Sequence, residues 1–133
     1  MDACIFCKIV AGSIPCHKVF ENKQVLAFLD INPFNQGHLL VIPKQHFETI
    51  FDIEETISAE IMRITCRLAQ AIKKTVQLDG LNLLQSNYKA ANQIVPHFHL
   101  HLIPRFNSDK IHIIHANQLG TPTQEELTHM ATE

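Results

Sequence analysis

Three histidines alternate with three hydrophobic residues between two prolines, in the run 96–105 (PHFHLHLIPR). Side chains of an extended strand point to opposite faces with a period of two. The run therefore predicts a strand over 97–103, with the imidazoles on one face and Phe98, Leu100 and Leu102 in the core. Because a core strand does not need three hydrogen-bonding rings on one surface, the pattern indicates a reactive site. The alternative is a surface strand that tolerates histidines.

The rest of the chain predicts an α+β domain. Between residues 57 and 72, isoleucine and leucine recur in steps of three and four, which is typical of one face of an amphipathic helix. Gly80 is the expected stop of this helix. We expect an antiparallel sheet with this one long helix on one face. Further strands are predicted over 18–20, 24–29, 39–42 and 81–85, a short helix over 6–11, and a polar loop over 86–94.

The length of 133 residues and the hydrophobic fraction of 46% suit one domain. We place it over residues 1–107 and expect a C-terminal tail over 108–133. In that tail, Thr123 and Glu126 have the spacing of a capping box, which can start a short helix.

The charge pattern limits the partners that we expect. The formal net charge is −2 and lysine and arginine form no block, so no nucleic acid is expected as a partner. No apolar stretch approaches the ~20 residues of a membrane span, and the first residues lack the features of a secretory signal. We therefore expect a cytoplasmic protein without a membrane partner.

The four cysteines, at positions 4, 7, 16 and 66, form no regular disulfide pattern. Cys4 and Cys7 are spaced as a metal-binding or redox-active pair. A thioredoxin-like pair would follow a strand, and only three residues precede Cys4. Cys16 and Cys66 are predicted to be inert, in the manner of small buried hydrophobic residues.

The histidine run resembles the signature of the histidine-triad (HIT) family, His-x-His-x-His with apolar spacers. Other segments are similar to the family in the expected order, namely 5–9 with 14–15, 25–33, 37–46 and 90–93. The resemblance covers about residues 3 to 107 and implies a HIT-like fold that pairs into a homodimer. It also implies a nucleotidyl hydrolase or transferase acting on the α-phosphate of a purine nucleoside phosphoramidate or similar nucleotide. The implied intermediate is a nucleotide bound covalently to a histidine.

The resemblance also implies roles for individual residues. His99 matches the nucleophile, and His101 matches the residue that contacts the phosphate or protonates the leaving group. Gln93 matches a polar residue beside the α-phosphate or leaving group, and Asp30 the acid that binds the ribose. The implied nucleotide-binding set is Ile5, Phe6, Ile9, Phe28, Asp30, Ile31, Ser86, Gln93, His99 and His101. The hydrophobic members of this set can equally be core residues, and Asp30 can equally cap a turn.

The loop before the triad departs from the family pattern. Ser86 stands where an asparagine is usual, Tyr88 and Asn92 where glycines are often seen, and Ile94 where a small hydroxyl residue is frequent. Glycine adopts a positive φ freely, asparagine adopts it at a moderate cost, and tyrosine adopts it rarely. The geometry of this loop, the substrate and the rate of turnover therefore stay open at this point.

Cys4, Cys7, His46 and His97 match the four ligands of a zinc site that part of the family contains. Two thiolates and two imidazoles suit tetrahedral zinc, and four protein ligands close its coordination sphere. One structural zinc per chain is therefore expected.

Three other functions compete with the phosphoramidate hydrolase. The first is a dinucleoside polyphosphate hydrolase, which the sequence does not distinguish from it. The second is a nucleotide-binding regulatory module with little turnover, which the altered loop favours. The third places all three triad histidines on one catalytic zinc, which leaves Cys4, Cys7 and His46 without a role.

Overall fold

The described part of the chain is arranged around one five-stranded antiparallel sheet, whose strand order is β1-β2-β3-β5-β4. The computed structural model describes residues 3–113 and 120–132. Along the chain the elements are α1 (Ile5–Ala11), β1 (Lys18–Glu21), β2 (Val25–Leu29), β3 (Leu39–Pro43), α2 (Glu55–Val76), β4 (Gly80–Gln85), β5 (Leu100–Arg105) and α3 (Gln124–Ala131). The predicted α+β architecture, with one long helix on one face, is confirmed.

The sheet separates two apolar clusters because neighbouring residues of a strand face opposite ways. On one face, Val25, Val41 and Leu102 pack under α2, which buries the isoleucines of its predicted stripe. On the other face, Leu26 and Ile42 pack with the short helix α1. Because α2 covers its own face of the sheet, a cavity can form on the opposite face, which we call the α1 face.

The helix α2 ends at Val76, so the prediction that Gly80 stops it is wrong. Gln77 takes the left-handed conformation with φ 55°, and Gly80 is already paired with Arg105 in the β4–β5 ladder. The pairing of β4 therefore sets the end of the helix, because the chain must leave the helix before the ladder begins.

The histidine strand begins at Leu100, so its predicted start at residue 97 is also wrong. The backbone N–H of His97 donates to the carbonyl of Val95, and that of Phe98 donates to the carbonyl of Phe47. These bonds replace the strand ladder before Leu100. The alternation of side chains still holds, because Phe98 joins the apolar cluster under α2 while His97 and His99 contact Phe6 on the α1 face.

The C-terminal segment contains the predicted short helix. Thr123 and Glu126 form the capping box at the start of α3, and the helix is exposed.

Cys66 is exposed on α2, so its prediction as a buried residue is wrong: it falls outside the apolar stripe of the helix. In the described ranges, no helix has the length and hydrophobicity that crossing a membrane requires.

Candidate functional site

A cavity of about 450 Å³ opens on the α1 face of the sheet. The predicted base-pocket residues Ile5, Phe6, Ile9, Phe28 and Ile31 all line it, together with Asp30, His99 and His101. Ser86 and Gln93 are not among the lining residues. Sequence reasoning missed Ile14, Pro15, Phe34, His38, Asn92 and Ile94, which also line it. Among these, His38 carried a signal, because it follows Gly37 in a segment that resembles the HIT family.

His99 is buried in the wall of this cavity, with 6% of its surface exposed. Its Nδ1 lies 2.7 Å from the carbonyl oxygen of His97. A carbonyl only accepts, so Nδ1 carries the hydrogen and Nε2 keeps its lone pair. Burial lowers the pKa of His99, and the hydrogen bond to His97 offsets this only in part. His99 is therefore a neutral imidazole near pH 7 with a free Nε2, which is the form that acts as a nucleophile.

His101 is held in the opposite tautomer by His38. The backbone N–H of Phe34 donates to His38 Nδ1 at 3.1 Å, which places the hydrogen of His38 on Nε2. His38 Nε2 lies 2.9 Å from His101 Nδ1 and 3.5 Å from Asp30 Oδ2. Because His38 donates to His101 Nδ1, His101 carries its own hydrogen on Nε2. That nitrogen is a donor for a phosphate oxygen or a leaving group.

Both of these imidazoles resist protonation. Burial lowers the pKa of His101 to about 4, and the neighbouring His99 and His38 contribute. Burial also lowers the pKa of His38, against the charge of Asp30, which raises it. Asp30, His38 and His101 lie close enough to surround an ion. The hydrogen on His38 Nε2 occupies the lone-pair position that a metal ion would need, so His38 and His101 form a hydrogen-bonded pair beside the Asp30 carboxylate.

The second cluster contains the four predicted zinc ligands. Cys4 Sγ lies 3.3 Å from His97 Nδ1, and Cys7 Sγ lies 3.3 Å from His46 Nδ1 and 3.5 Å from His97 Nδ1. The two imidazole nitrogens are 3.2 Å apart. Zinc bonds of about 2.0 Å to nitrogen and about 2.3 Å to sulfur give tetrahedral edges of about 3.3 Å between two nitrogens and about 3.5 Å between nitrogen and sulfur. The donor atoms therefore have the spacing of a tetrahedral zinc site.

The surroundings of this cluster determine which of its atoms can act as metal ligands. His97 Nε2 lies 2.8 Å from the carbonyl of Pro43, so it donates there and leaves Nδ1 as the ligand atom. Burial lowers the pKa of His97 to about 4. Burial and the neighbouring Cys4 raise the pKa of Cys7 to about 11, so a Cys7 thiolate would need a nearby positive charge, which a bound cation would supply.

His97 thus belongs to the cluster with the two cysteines, whereas His101 belongs to the cluster with Asp30 and His38. Among the described residues, the three triad histidines do not converge on one ion position. The alternative with all three on one catalytic zinc is therefore wrong. His97 and His101 lie in different clusters, and His99 lies in neither.

Gln93 lies outside the cavity, and its carboxamide is fully engaged. Its Nε2 donates to the carbonyls of Glu48 at 2.7 Å and Val95 at 3.1 Å, and its Oε1 accepts from the N–H of Tyr88 at 2.6 Å. In this conformation the side chain has no free donor for a phosphate. It ties the loop 86–94 to the segment that precedes α2.

Two of the loop positions where the family often has glycine, Tyr88 and Asn92, have a positive φ. Asn92 is left-handed, with φ 68° and ψ 31°, and ends the 3₁₀ turn Lys89–Ala91. Tyr88 has φ 68° and ψ 166°, a region that is essentially reserved for glycine. The bond from its N–H to Gln93 and the stacking of its ring on Phe51 at 5.7 Å hold it there. Ile94 is 89% exposed and faces the cavity.

Comparison with known proteins gives a consistent result. The family model of the HIT domain matches residues 11–108. The adenosine 5′-monophosphoramidase of Saccharomyces cerevisiae is 46% identical over 123 residues, which are 92% of this chain and 72% of the yeast protein. The crystal structure of a HIT family protein from Bacillus anthracis is 44% identical and superposes with a TM-score of 0.92 over 98% of this chain and 94% of that one.

A Zn-bound histidine triad family protein from Mycobacterium smegmatis has 34% identity and a TM-score of 0.80, over 98% of this chain and 97% of that one. These similarities extend over the sheet, both flanking helices and the histidine run. The chain therefore belongs to the HIT family.

Proposed function

We propose that this protein hydrolyses purine nucleoside phosphoramidates, such as adenosine 5′-phosphoramidate, through a nucleotidyl group bound covalently to His99. The observation that carries the proposal is the bond of His99 Nδ1 to the His97 carbonyl, because it leaves Nε2 as a free lone pair in the cavity wall. The name of the yeast relative, an adenosine 5′-monophosphoramidase, supports this substrate class.

In the first step, His99 Nε2 forms a bond to the α-phosphorus and the bond from phosphorus to the leaving nitrogen breaks. The imidazole becomes positively charged, and the His97 carbonyl stabilises the hydrogen on Nδ1. The leaving amine takes a proton from His101 Nε2. This proton is an additional one, which the pair of His101 and His38 takes up from solvent when the substrate binds, because the phosphate charge beside His101 opposes the effect of burial.

In the second step, water attacks the same phosphorus atom and the bond to His99 breaks. The proton that water loses returns to the pair of His101 and His38, so the protein ends as it began. The net reaction converts a phosphoramidate and water into a nucleoside monophosphate and an amine. Covalent catalysis of this kind divides one difficult displacement into two easier ones.

The nucleoside is held by the walls of the cavity. The base lies between α1 and the end of β2. There it is enclosed by five hydrophobic residues that line the cavity, namely Ile5, Phe6, Ile9, Phe28 and Ile31. The carboxylate of Asp30 lines the cavity beside His38, and there it accepts hydrogen bonds from the ribose hydroxyls. Gln93 contributes by holding the loop rather than by touching the phosphate, and Ser86 stays a prediction.

The charges of the cavity favour one phosphate over several. Among the described residues that line it, Asp30 is acidic and none is lysine or arginine. A dinucleoside polyphosphate brings several negative charges, which normally require basic side chains or a metal ion. A phosphoramidate brings one phosphate and an uncharged or basic leaving group. The lining therefore favours the phosphoramidate over the polyphosphate.

Two structural features accompany the proposed activity. We expect Cys4, Cys7, His46 and His97 to hold one structural zinc per chain, which pins α1 to the start of the histidine run. We also expect a homodimer, because β4 is an edge strand of the described sheet and carries the exposed Leu83. Metal analysis and light scattering check these two expectations.

Steady-state kinetics tests the function directly. We expect the protein to release AMP from adenosine 5′-phosphoramidate with a higher kcat/KM than from diadenosine tetraphosphate. A preference for the tetraphosphate would support the polyphosphate hydrolase instead. Calorimetric binding of AMP without turnover of either compound would support the regulatory module.

A further inference from the structure

The turn 32–37, between β2 and β3, forms part of the cavity wall through Asn32 and Phe34. A polar side chain ties this turn to the far end of β5. Asn35 Nδ2 donates to the carbonyl of Pro104 at 2.8 Å and to Asp109 Oδ2 at 3.0 Å. The contact joins residues that lie 74 positions apart in the chain. We call Asn35, Arg105 and Asp109 the clamp.

Asp109 accepts far more hydrogen bonds than a simple surface anchor requires. Its side chain is 9% exposed and accepts five bonds, two from Arg105, one from Asn35 and two from the backbone N–H groups of Phe106 and Ile111. Arg105 also donates to Asn82 on β4. The Arg105 guanidinium holds the pKa of Asp109 well below its usual range, so the carboxylate stays charged at neutral pH.

The other end of the turn reaches His38. The carbonyl of Asn35 accepts from the N–H of His38 at 3.2 Å, and the N–H of Phe34 donates to His38 Nδ1. The Phe34 ring stacks on the imidazole at 5.5 Å. Gly37 has φ 85°, and a Cβ there would lie 3.2 Å from Val76, so the turn is closely packed as well as hydrogen bonded.

We propose that Asn35 and Asp109 are positioning residues that hold the Phe34 N–H on His38 and thereby keep His101 in the tautomer that presents its Nε2 hydrogen to the leaving group. The inference rests on the proposed role of His101. Asp109 lies one position beyond the family match, so the segment expected to be a tail contributes to the site.

The test compares Asn35→Ala and Asp109→Ala with the control Glu60→Ala. Glu60 on α2 also accepts from an asparagine, Asn22, and an arginine, Arg63, but it lies outside the cavity lining. The two readouts are kinetics on adenosine 5′-phosphoramidate and nitrogen-15 spectra of the histidine side chains. A His38→Gln sample assigns the His38 signals.

We expect each clamp variant to lower kcat about 5- to 10-fold with less than a twofold change in KM, and to convert His38 from one tautomer to a mixture. Glu60→Ala should leave both readouts at wild-type values. Unchanged His38 signals, or a raised KM with unchanged kcat, would overturn the proposal. Asn35→Ala removes one side chain at the surface of the turn, so it provides a folded variant if Asp109→Ala does not fold. Wild-type protein without turnover would contradict the proposed function, while the His38 spectra would still test the clamp.

Discussion

The two ends of the run from His97 to His101 contain the same kind of side chain in different surroundings. At one end, His97 donates from Nε2 to Pro43 and places Nδ1 among two sulfur atoms and a second imidazole. At the other end, His101 receives a hydrogen from His38 at Nδ1 and keeps a hydrogen on Nε2. Phe6 packs against both His97 and His99.

This difference shows that the partner of one ring nitrogen decides what the other nitrogen can do. A carbonyl partner leaves a lone pair, which suits His97 for a metal and His99 for phosphorus. An imidazole partner that donates leaves a hydrogen, which suits His101 for a leaving group. Substitutions at each end should therefore separate catalysis from metal binding.

The largest effect is expected for His99→Ala. The variant lacks the proposed nucleophile, so kcat for adenosine 5′-phosphoramidate should fall at least about 10⁴-fold. Zinc content and AMP binding should stay near wild type, because neither depends on Nε2 of this residue. His17→Ala, at an exposed histidine, is the matched control and should retain activity. A loss of less than tenfold in His99→Ala would contradict the assignment.

The next effect is expected for His101→Asn. Loss of a positioned proton donor should lower kcat by about 10²- to 10³-fold. Because His99 remains, the variant should still form the covalent intermediate, only more slowly. Rapid-quench kinetics measures that first step. Wild-type rates of formation would show that His101 does not act on the leaving group.

A smaller catalytic effect and a larger structural one are expected for Cys7→Ala. The variant should lose zinc and its melting temperature should fall by about 10 °C, since a metal bound only by the folded state stabilises it. Its activity should fall less than that of His99→Ala. Cys66→Ala is the control and should keep both zinc and melting temperature. Equal zinc content in the two variants would contradict the assigned ligands.

The smallest effect concerns the stability of the fold in acid. The pKa of His101 lies at about 4 in the folded protein, below its ordinary 6.5, so the unfolded chain binds the proton first. The stabilisation is fully present above pH 6.5 and is lost as the pH falls towards 4, at about 1.4 kcal/mol per pH unit for one proton. Urea unfolding at pH 7 and pH 5 should therefore show a smaller difference for His101→Asn than for wild type. An equal difference would show that His101 does not contribute.

Much of the fold follows from periodic patterns, because these report local geometry. The stripe containing Ile57, Ile61 and Ile64 predicted α2, and the alternation after His97 predicted which side chains enter the core. Element ends were less predictable. Gly80 starts a strand because its partner is Arg105, and no local pattern reveals that pairing.

The chemistry of the site depends on contacts between distant parts of the chain. His38 lies 63 positions from His101, and its role appears only when the sheet brings them together. Gln93 carries the residue type expected at a phosphate, yet the fold turns its amide towards Glu48 and Val95. Several residues of the cavity were therefore predictable, whereas His38 and the hydrogen-bond partners of the others required the structure.

The central claim is that His99 carries the nucleotide, and intact mass spectrometry tests it most directly. Wild-type protein is quenched with base during turnover of adenosine 5′-phosphoramidate, which preserves an acid-labile bond from phosphorus to nitrogen. His101→Asn, in which the intermediate is expected to be longer lived, is treated in parallel with His99→Ala. We expect a mass increase of one AMP group in wild type or His101→Asn, mapped to His99, and none in His99→Ala. An adduct that persists in His99→Ala, or AMP release by that variant at the wild-type rate, would contradict the account.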